Sequence, residues 1–422
     1  MNKLLKKVIK LPLWQQIFAA LFLGVLTGIL FPSVGGALGP IGQLFINAIQ
    51  LMVVPIVFIS ITCGVISLGS GDSHAMGRVT FKTIATYLIT MAIAATIGII
   101  VAKIMQPGQG LDLSLLNNEA SQISVPQPTL QTLITSLIPS NMFAAFSNNA
   151  LILQVIIIAM IMGVSIVKAG ENGRRIQKIA ESMFSVMMQF AHIIMRFTPV
   201  GVFALISVVV SKFGTDMLLE LLTLVLTIYI GCIIQALVVY SLMLALIARL
   251  NPIHFFRGMR EAMLFAFSTT SSAATLPVTL SCSQRLGVEK SISEFIIPLG
   301  ASINLNGLSV YLGASAVFAA NLYGIDLGYW QFAMIIFTAT IASMGASGVP
   351  GSALFVMALV MTSIGIPVSV IGIIAAVDRL NDMICTATNI TGDAATAVLV
   401  AESEGMLDRK IYNERIKAKE LA

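Results

Sequence analysis

The sequence predicts an all-α polytopic membrane protein, and three observations carry that prediction. Of 422 residues, 57% are hydrophobic and only 10% are charged, with a mean hydropathy of +0.95. So few charges cannot cover a water-facing surface of this size, which excludes a soluble fold, a disordered chain and a nucleic-acid-binding domain. The apolar residues fall in runs of about 20, the length that crosses a bilayer as a helix. Lys and Arg collect in alternate loops, so the net charge of +5 belongs to membrane flanks rather than to an acidic partner. Cys63, Cys232, Cys282 and Cys385 lie in apolar stretches without paired spacing. That pattern supports neither a disulfide framework nor a thiolate metal site.

The elements follow in order. Leu11 to Gly71 contains no charged residue, and Pro32, Gly35, Gly36, Gly39 and Pro40 break it into helices of about 12–31 and 42–69. The basic leader Met1–Lys10 opens an uncleaved first helix, because its apolar run is long enough to span and more spans follow. Further spans read as about 83–103, 150–168, 182–211 and 217–248. Arg78 and Lys82 follow span two, Lys168, Arg174, Arg175 and Lys178 follow span four, and Arg249, Arg257 and Arg260 follow span six. The loops between are poor in Lys and Arg, so the N-terminus is expected in the cytoplasm.

The second half is interrupted. Segment 261–284 carries Ser268-Thr269-Thr270-Ser271-Ser272 at its middle, and a simple crossing would put Arg285 and Lys290 outside. A hairpin that dips in and returns keeps them cytoplasmic. Segment 331–364 carries Ser343-Met344-Gly345-Ala346-Ser347-Gly348-Val349-Pro350-Gly351 at its middle. Each precedes a long span with a polar centre: Asn304-Leu305-Asn306-Gly307 in about 293–322, and Asn389-Ile390-Thr391-Gly392-Asp393 in about 371–400. Hairpin then helix, twice and in opposite orientations, is an inverted repeat. Non-helical backbone at membrane depth survives only where protein or a cavity satisfies it, and paired interrupted segments point to a transporter's binding site.

The last span carries the charge. At about 100° per residue, Asp378, Asp382, Cys385, Thr386, Asn389 and Asp393 share one stripe roughly 100° wide. Acids and amides on one face inside a bilayer cannot face lipid. They face a structural ion pair or a site for cations and amines, and Arg379, at the stripe's edge, is a candidate structural partner for Asp378. Helix N-termini at the Ser/Thr and Gly tips favour a carboxylate. Unwound carbonyls favour sodium, a hard cation. With Asp382 for an ammonium, these parts describe an α-amino acid site.

Ser271-Ser272-Ala273-Ala274-Thr275-Leu276-Pro277, Asn304-Leu305-Asn306-Gly307, Gly348-Val349-Pro350-Gly351 and Asp382 through Asp393 resemble the dicarboxylate/amino acid:cation symporters, over essentially the whole chain. This family takes in glutamate transporters, neutral amino acid exchangers and archaeal aspartate transporters. The resemblance implies a homotrimer in the inner membrane of the cell, both termini cytoplasmic, with eight spans and two re-entrant hairpins working as an elevator. Residues 1–69 and 141–211 would form a fixed trimeric scaffold, residues 80–105 and 217–400 the moving transport domain, and 401–422 a solvated cytoplasmic tail. Ser272 and Asn389 would hold the substrate's α-carboxylate beside Ser271, with Val349 closing above, and Asp382 the ammonium beside Thr386. One sodium site would use Asp393 with carbonyls of Gly300, Asn304 and Asn389. A second would use carbonyls of Ser302 and Leu305 with Ser343, Met344 and Ala346.

Three departures bear on specificity and coupling. Acidic-substrate members place an arginine where this chain has Cys385, and some bacterial relatives an arginine where it has Thr270. The threonine after the span-seven glycine is Leu308. A side-chain carboxylate would therefore meet a thiol and a leucine, and burying it unpaired costs several kcal/mol. The expectation is cation (sodium)-coupled symport of a small neutral amino acid. The alternative is sodium- or proton-coupled symport of glutamate, aspartate or a dicarboxylate, with Arg379 as a replacement cation. At the family's additional cation site, beside Tyr87, Thr90 and Asn304, the expected aspartate is Asn306 and a serine is Met91, which should weaken that site. Proton coupling through Asp378, Asp382 or Asp393 stays open.

Two other function classes fit the residues less well. Gly345-Ala346-Ser347-Gly348 fits an intramembrane serine protease, but the nucleophile needs a base, and none of His74, His192 and His254 lies in a span after Ser347. A passive channel would not need an ammonium partner, a carboxylate nest and a Gly-Pro gate together. No enzyme activity is expected.

Overall fold

The computed structural model describes residues 13–69, 74–109, 138–147, 152–346 and 352–413. Those residues are helical throughout apart from turns and one isolated bridge, Val288 to Leu407. α1 (Leu13–Leu30) and α3 (Gly39–Gly69) are the expected first pair. Between them the Pro/Gly segment, read as a break, is itself a short helix, α2 (Pro32–Ala37). Proline is tolerated in a first helical turn because its missing N–H would have no partner there. α4 (His74–Met105) begins well before its predicted start, and α5 (Met142–Phe146) is a single turn capped by the Asn141 side chain.

The fifth span differs from its prediction. α6 (Ile152–Lys168) is followed at once by α7 (Gly170–Met195), which absorbs the basic loop of Arg174, Arg175 and Lys178. α8 (Thr198–Ile234) then starts afresh with Pro199 in its first turn and kinks at Gly214, where φ is 71°. The predicted 182–211 span is thus divided at Arg196–Phe197, because a proline cannot donate into a continuing helix. Beyond α8 the helix widens into π-helical turns at Gln235–Tyr240 and Met243–Ile247. Such turns redirect side chains and gather at functional sites. Here the Gln235 amide donates to the Thr90 carbonyl and the Tyr240 hydroxyl to the Thr388 carbonyl.

Each interrupted segment is a pair of helices rather than one. α9 (Pro252–Thr269) and α10 (Ser272–Arg285) form the first hairpin, turning at Thr270, a non-glycine residue at φ 53°. Span seven is broken into α11 (Lys290–Ile303) and α12 (Asn306–Leu322) at Asn304–Leu305. α13 (Tyr329–Gly345) and α14 (Ser352–Ser363) form the arms of the second hairpin, and α15 (Val370–Ile374) leads into α16 (Asp378–Ser403). The second tip, with Ser347 and Val349, lies outside the described residues.

Among the described residues, four stretches are long and apolar enough to cross a membrane: Gly77–Met105, Gly214–Ile247, Lys290–Leu322 and Asp378–Ser403. Shorter apolar helices stand at Gln15–Leu30, Ile157–Lys168 and Thr198–Lys212. The last two long stretches are 83% buried against 44% and 39% for the others, so the chain itself surrounds them. Close approach is bought with glycine: a Cβ on Gly307 would stand 2.5 Å from the Cys385 Cα. α12 and α16 therefore meet backbone to backbone. The start of the tail is docked rather than solvated. Glu289 N–H donates to the Met406 carbonyl, Asp408 N–H to that of Gly287, and α17 (Arg409–Asn413) buries Tyr412, whose hydroxyl reaches the Asn251 carbonyl.

Candidate transport site

The two breaks and the last helix surround a small, partly open cavity. The first hairpin contributes Thr270 and Ser272, and the span-seven break contributes Leu305, Leu308 and Tyr311. Ala353 enters from the second hairpin, and α16 supplies Asp382, Cys385, Thr386 and Asn389. The stripe read from the sequence is therefore one wall of a cavity. Ser271 does not line it; its side chain accepts from the Ala274 N–H at 3.2 Å and caps α10. That cap leaves Ser272 buried in the first turn, where helix N–H groups favour an anion. Asn389 Oδ1 accepts from the Gly307 N–H at 2.7 Å. That bond fixes the amide's orientation, so its NH2 group is the donor left for a ligand.

Asp382 is the sole charged residue on the lining. Its partner is Arg379, one turn earlier, with Nη1 to Oδ2 at 3.5 Å. The expected Arg379–Asp378 pair is not formed; Asp378 instead accepts from the Tyr311 hydroxyl at 3.1 Å. Adjacent helical residues point apart, whereas residues three apart share a face. Cys385 donates to the Gly307 carbonyl at 3.2 Å and is held against the backbone of α12. Tyr311 and Ala353 were not anticipated, although Tyr311 lies three residues beyond Leu308 on the same helix face.

A second polar cluster lies deeper, one helical turn past Asn389. Asn306 donates to Asn304 Oδ1 at 2.9 Å, and Asn304 donates to Asp393 Oδ1 at 2.8 Å. The chain of donors stops there: Asp393 Oδ2 and Asn306 Oδ1 are both buried with no hydrogen-bond partner among the described residues. Gly300 makes room, since a Cβ there would come within 2.6 Å of both the Asp393 Cγ and the Tyr87 hydroxyl. Tyr87 donates to the Ile296 carbonyl at 2.9 Å, and Thr90 bonds back to Thr86 and Tyr87. A carboxylate oxygen and an amide oxygen, both buried and unpartnered, are the donor types a hard monovalent cation takes. Among the described residues no group of three or more His, Cys, Asp or Glu is gathered.

The other expected sodium ligands are brought together only in part. Ser343 reaches Ser309 at 2.9 Å, and Ser309 bonds to the Leu305 carbonyl at 3.3 Å, so the second hairpin touches the span-seven break. Ala346 leaves the helix with ψ 145°. The Ser302 side chain is exposed, bonding back to Pro298, and Met344 packs in the apolar core. The Asn389 backbone sits mid-helix in α16, where carbonyls serve the helical ladder. Val349 lies outside the described residues.

A family model described as the sodium:dicarboxylate symporter family matches residues 13–403. The chain belongs to that family. Similar proteins include the proton/sodium-glutamate symport protein of Bacillus caldotenax, 34% identical with 96% of each chain covered. The proton/glutamate-aspartate symporter of Escherichia coli (strain K12) is 35% identical, covering 96% of this chain and 95% of that one. The C4-dicarboxylate transport protein of Bacillus subtilis (strain 168) is 31% identical over 93% and 94%. A symporter family places this chain among membrane transporters.

Proposed function

We propose that this symporter moves an acidic α-amino acid, glutamate or aspartate, across the inner membrane together with sodium ions or protons. One observation carries the reading: Asp382, Thr386 and Asn389 line a cavity on the same helix that holds the orphaned oxygen of Asp393 little more than a turn away. Substrate and cation sites so close on one helix give a physical basis for coupling, since each ligand completes part of the other's surroundings. Asn389 and Ser272 would hold the α-carboxylate and Asp382 the ammonium. Asp393, Asn304 and Asn306 would hold a cation beside Tyr87 and Gly300, and Ser343 would connect a second cation near Leu305 and Ala346 to closure of the outer hairpin.

The acidic class is favoured by the relatives, named for glutamate, aspartate and C4-dicarboxylates, and by Arg379, a buried guanidinium in contact with a cavity-lining group. A second reading, transport of a small neutral amino acid, is favoured by Cys385: this thiol already donates to Gly307 and stands beside Leu308, with no cation on the lining. In either case the reading includes eight spans and two hairpins, cytoplasmic termini and a homotrimer. Residues 1–69 and 141–211 form its scaffold, and 80–105 with 217–400 form the elevator.

Uptake by purified protein in liposomes tests it, with glutamate, aspartate, succinate, serine and alanine compared under a sodium gradient and under a pH gradient. Driven accumulation of glutamate or aspartate is expected. Accumulation of serine or alanine alone, with acidic amino acids neither carried nor competing, would replace it with the neutral reading.

A further inference from the structure

The Arg379–Asp382 contact is a loose one for a buried pair. At 3.5 Å it is longer than the about 2.7–2.9 Å of a settled charge-assisted hydrogen bond. Both side chains are nearly enclosed, 7% and 13% exposed, and Arg379 Nε is buried with no partner among the described residues. A guanidinium kept only for structure would be expected to use its donors, because unmet buried N–H groups are expensive.

The surroundings contain more negative charge than positive. Asp378 and Asp382 both act on the one guanidinium. The neighbouring elements supply hydroxyls rather than cations: Tyr311 of α12 donates to Asp378, and Tyr229 of α8 donates to the Leu380 carbonyl at 3.0 Å. That last bond, between Arg379 and Asp382 in sequence, pins the backbone, so the guanidinium rather than the helix is free to move. Two carboxylates share one cation, and a substrate ammonium would supply the second.

We infer that Arg379 and the substrate's α-ammonium compete for Asp382. In the empty site Arg379 holds the Asp382 carboxylate. The arriving ammonium takes that carboxylate, and the displaced guanidinium turns its planar fork onto the substrate's distal carboxylate, doing from position 379 what Cys385 cannot do. Asp378 and Tyr311 are positioning residues that keep the guanidinium at this depth while it changes partners. Arg379 is thus a specificity-determining residue, and an acidic amino acid gains twice because it supplies both groups of the exchange. A dicarboxylate without an ammonium leaves Arg379 on Asp382 and gains neither. The second half of the exchange rests on the acidic-substrate reading above.

The test is equilibrium binding and uptake by the full chain in liposomes, wild type against Arg379→Gln, with glutamate, aspartate, serine and alanine. Glutamate and aspartate affinity is expected to fall about 100-fold, while serine and alanine affinity rises several-fold because Asp382 no longer has to surrender a guanidinium. Equal losses for all four substrates, or acidic uptake left unchanged, overturn the inference. A wild type that never carries acidic substrates sinks the acidic reading on its own. In that case the rise for serine in Arg379→Gln still upholds competition for Asp382, and no rise overturns it. Should Arg379→Gln fail to fold, Arg379→Lys keeps the charge but loses the fork. It should bind glutamate about tenfold more weakly with serine unaffected, and full glutamate affinity in that variant overturns the role of the fork.

Discussion

Two carboxylates on α16 are buried in opposite ways. Asp393 has a neutral partner: Asn304 donates to one oxygen, and the other oxygen, with that of Asn306, has no hydrogen-bond partner among the described residues. Around Asp382 a guanidinium is already present, and what lacks a partner is a donor, Arg379 Nε. At Asp393 the unmet groups are acceptors, and beside Asp382 the unmet group is a donor. The same helix, with the same residue type, thus leaves groups of opposite polarity unmet. The lesson is that an intramembrane carboxylate is understood from the sign of what remains unpaired beside it, rather than from its own charge.

That contrast breaks most sharply at Asp393. Asp393→Asn should abolish cation-driven accumulation, since removing the one charge of a buried set costs about 3–5 kcal/mol, more than a hundredfold in cation affinity. Uptake against sodium concentration checks it, and a normal sodium dependence would mean the cation is held elsewhere. At the other end, Asp382→Asn should weaken amino acid binding by about 2–5 kcal/mol and spare succinate, which has no ammonium. Equal losses for both would make Asp382 a structural partner of Arg379. A smaller change sharpens the cation end: Asn306→Asp adds a carboxylate where an orphaned oxygen stands, and should strengthen cation binding about tenfold, read as a leftward shift of the sodium titration.

Much of this was legible from residues alone. The Ser/Thr and Gly/Pro interruptions marked the ends of both helix pairs, Asn304–Gly307 marked the span-seven break, and helical spacing placed Asp382, Thr386 and Asn389 on one wall. Legibility failed where structure depends on partners distant in sequence. Tyr311 and Ala353 reach the cavity only because α12 and α14 pack there, and nothing local in Tyr240 announces that its hydroxyl crosses to Thr388. The division at Arg196–Phe197 was signalled by Pro199 and was masked by uninterrupted hydropathy. The stripe offers Asp378 as a candidate partner for Arg379, whereas the structure pairs Arg379 with Asp382, because residues three apart face one another on a helix and adjacent residues do not. Substrate class is least legible, because Cys385 records the absence of one arginine without saying whether another replaces it.

The smallest expected effect lies at the far end of the same helix, where carboxylates are paired and wet. Glu404 accepts from Lys82 Nζ at 2.5 Å and from Arg78 at 3.3 Å, tying α4 to the end of α16. The hydrogen bond from Lys82, then that from Arg78, holds the Glu404 carboxyl below its ordinary value. A depressed folded-state value means that this stabilisation is present above the unfolded value, near 4.5, and is lost as pH falls through the lower folded one. Both basic partners are substantially exposed, so solvent and salt screen the pair and its worth stays within about 0–1 kcal/mol. Glu404→Gln should therefore lower thermal stability slightly at neutral pH, less at high salt, and not at all below the folded-state titration. A large loss at neutral pH, insensitive to salt, would show that this strap matters to the transport helices far more than a surface pair can.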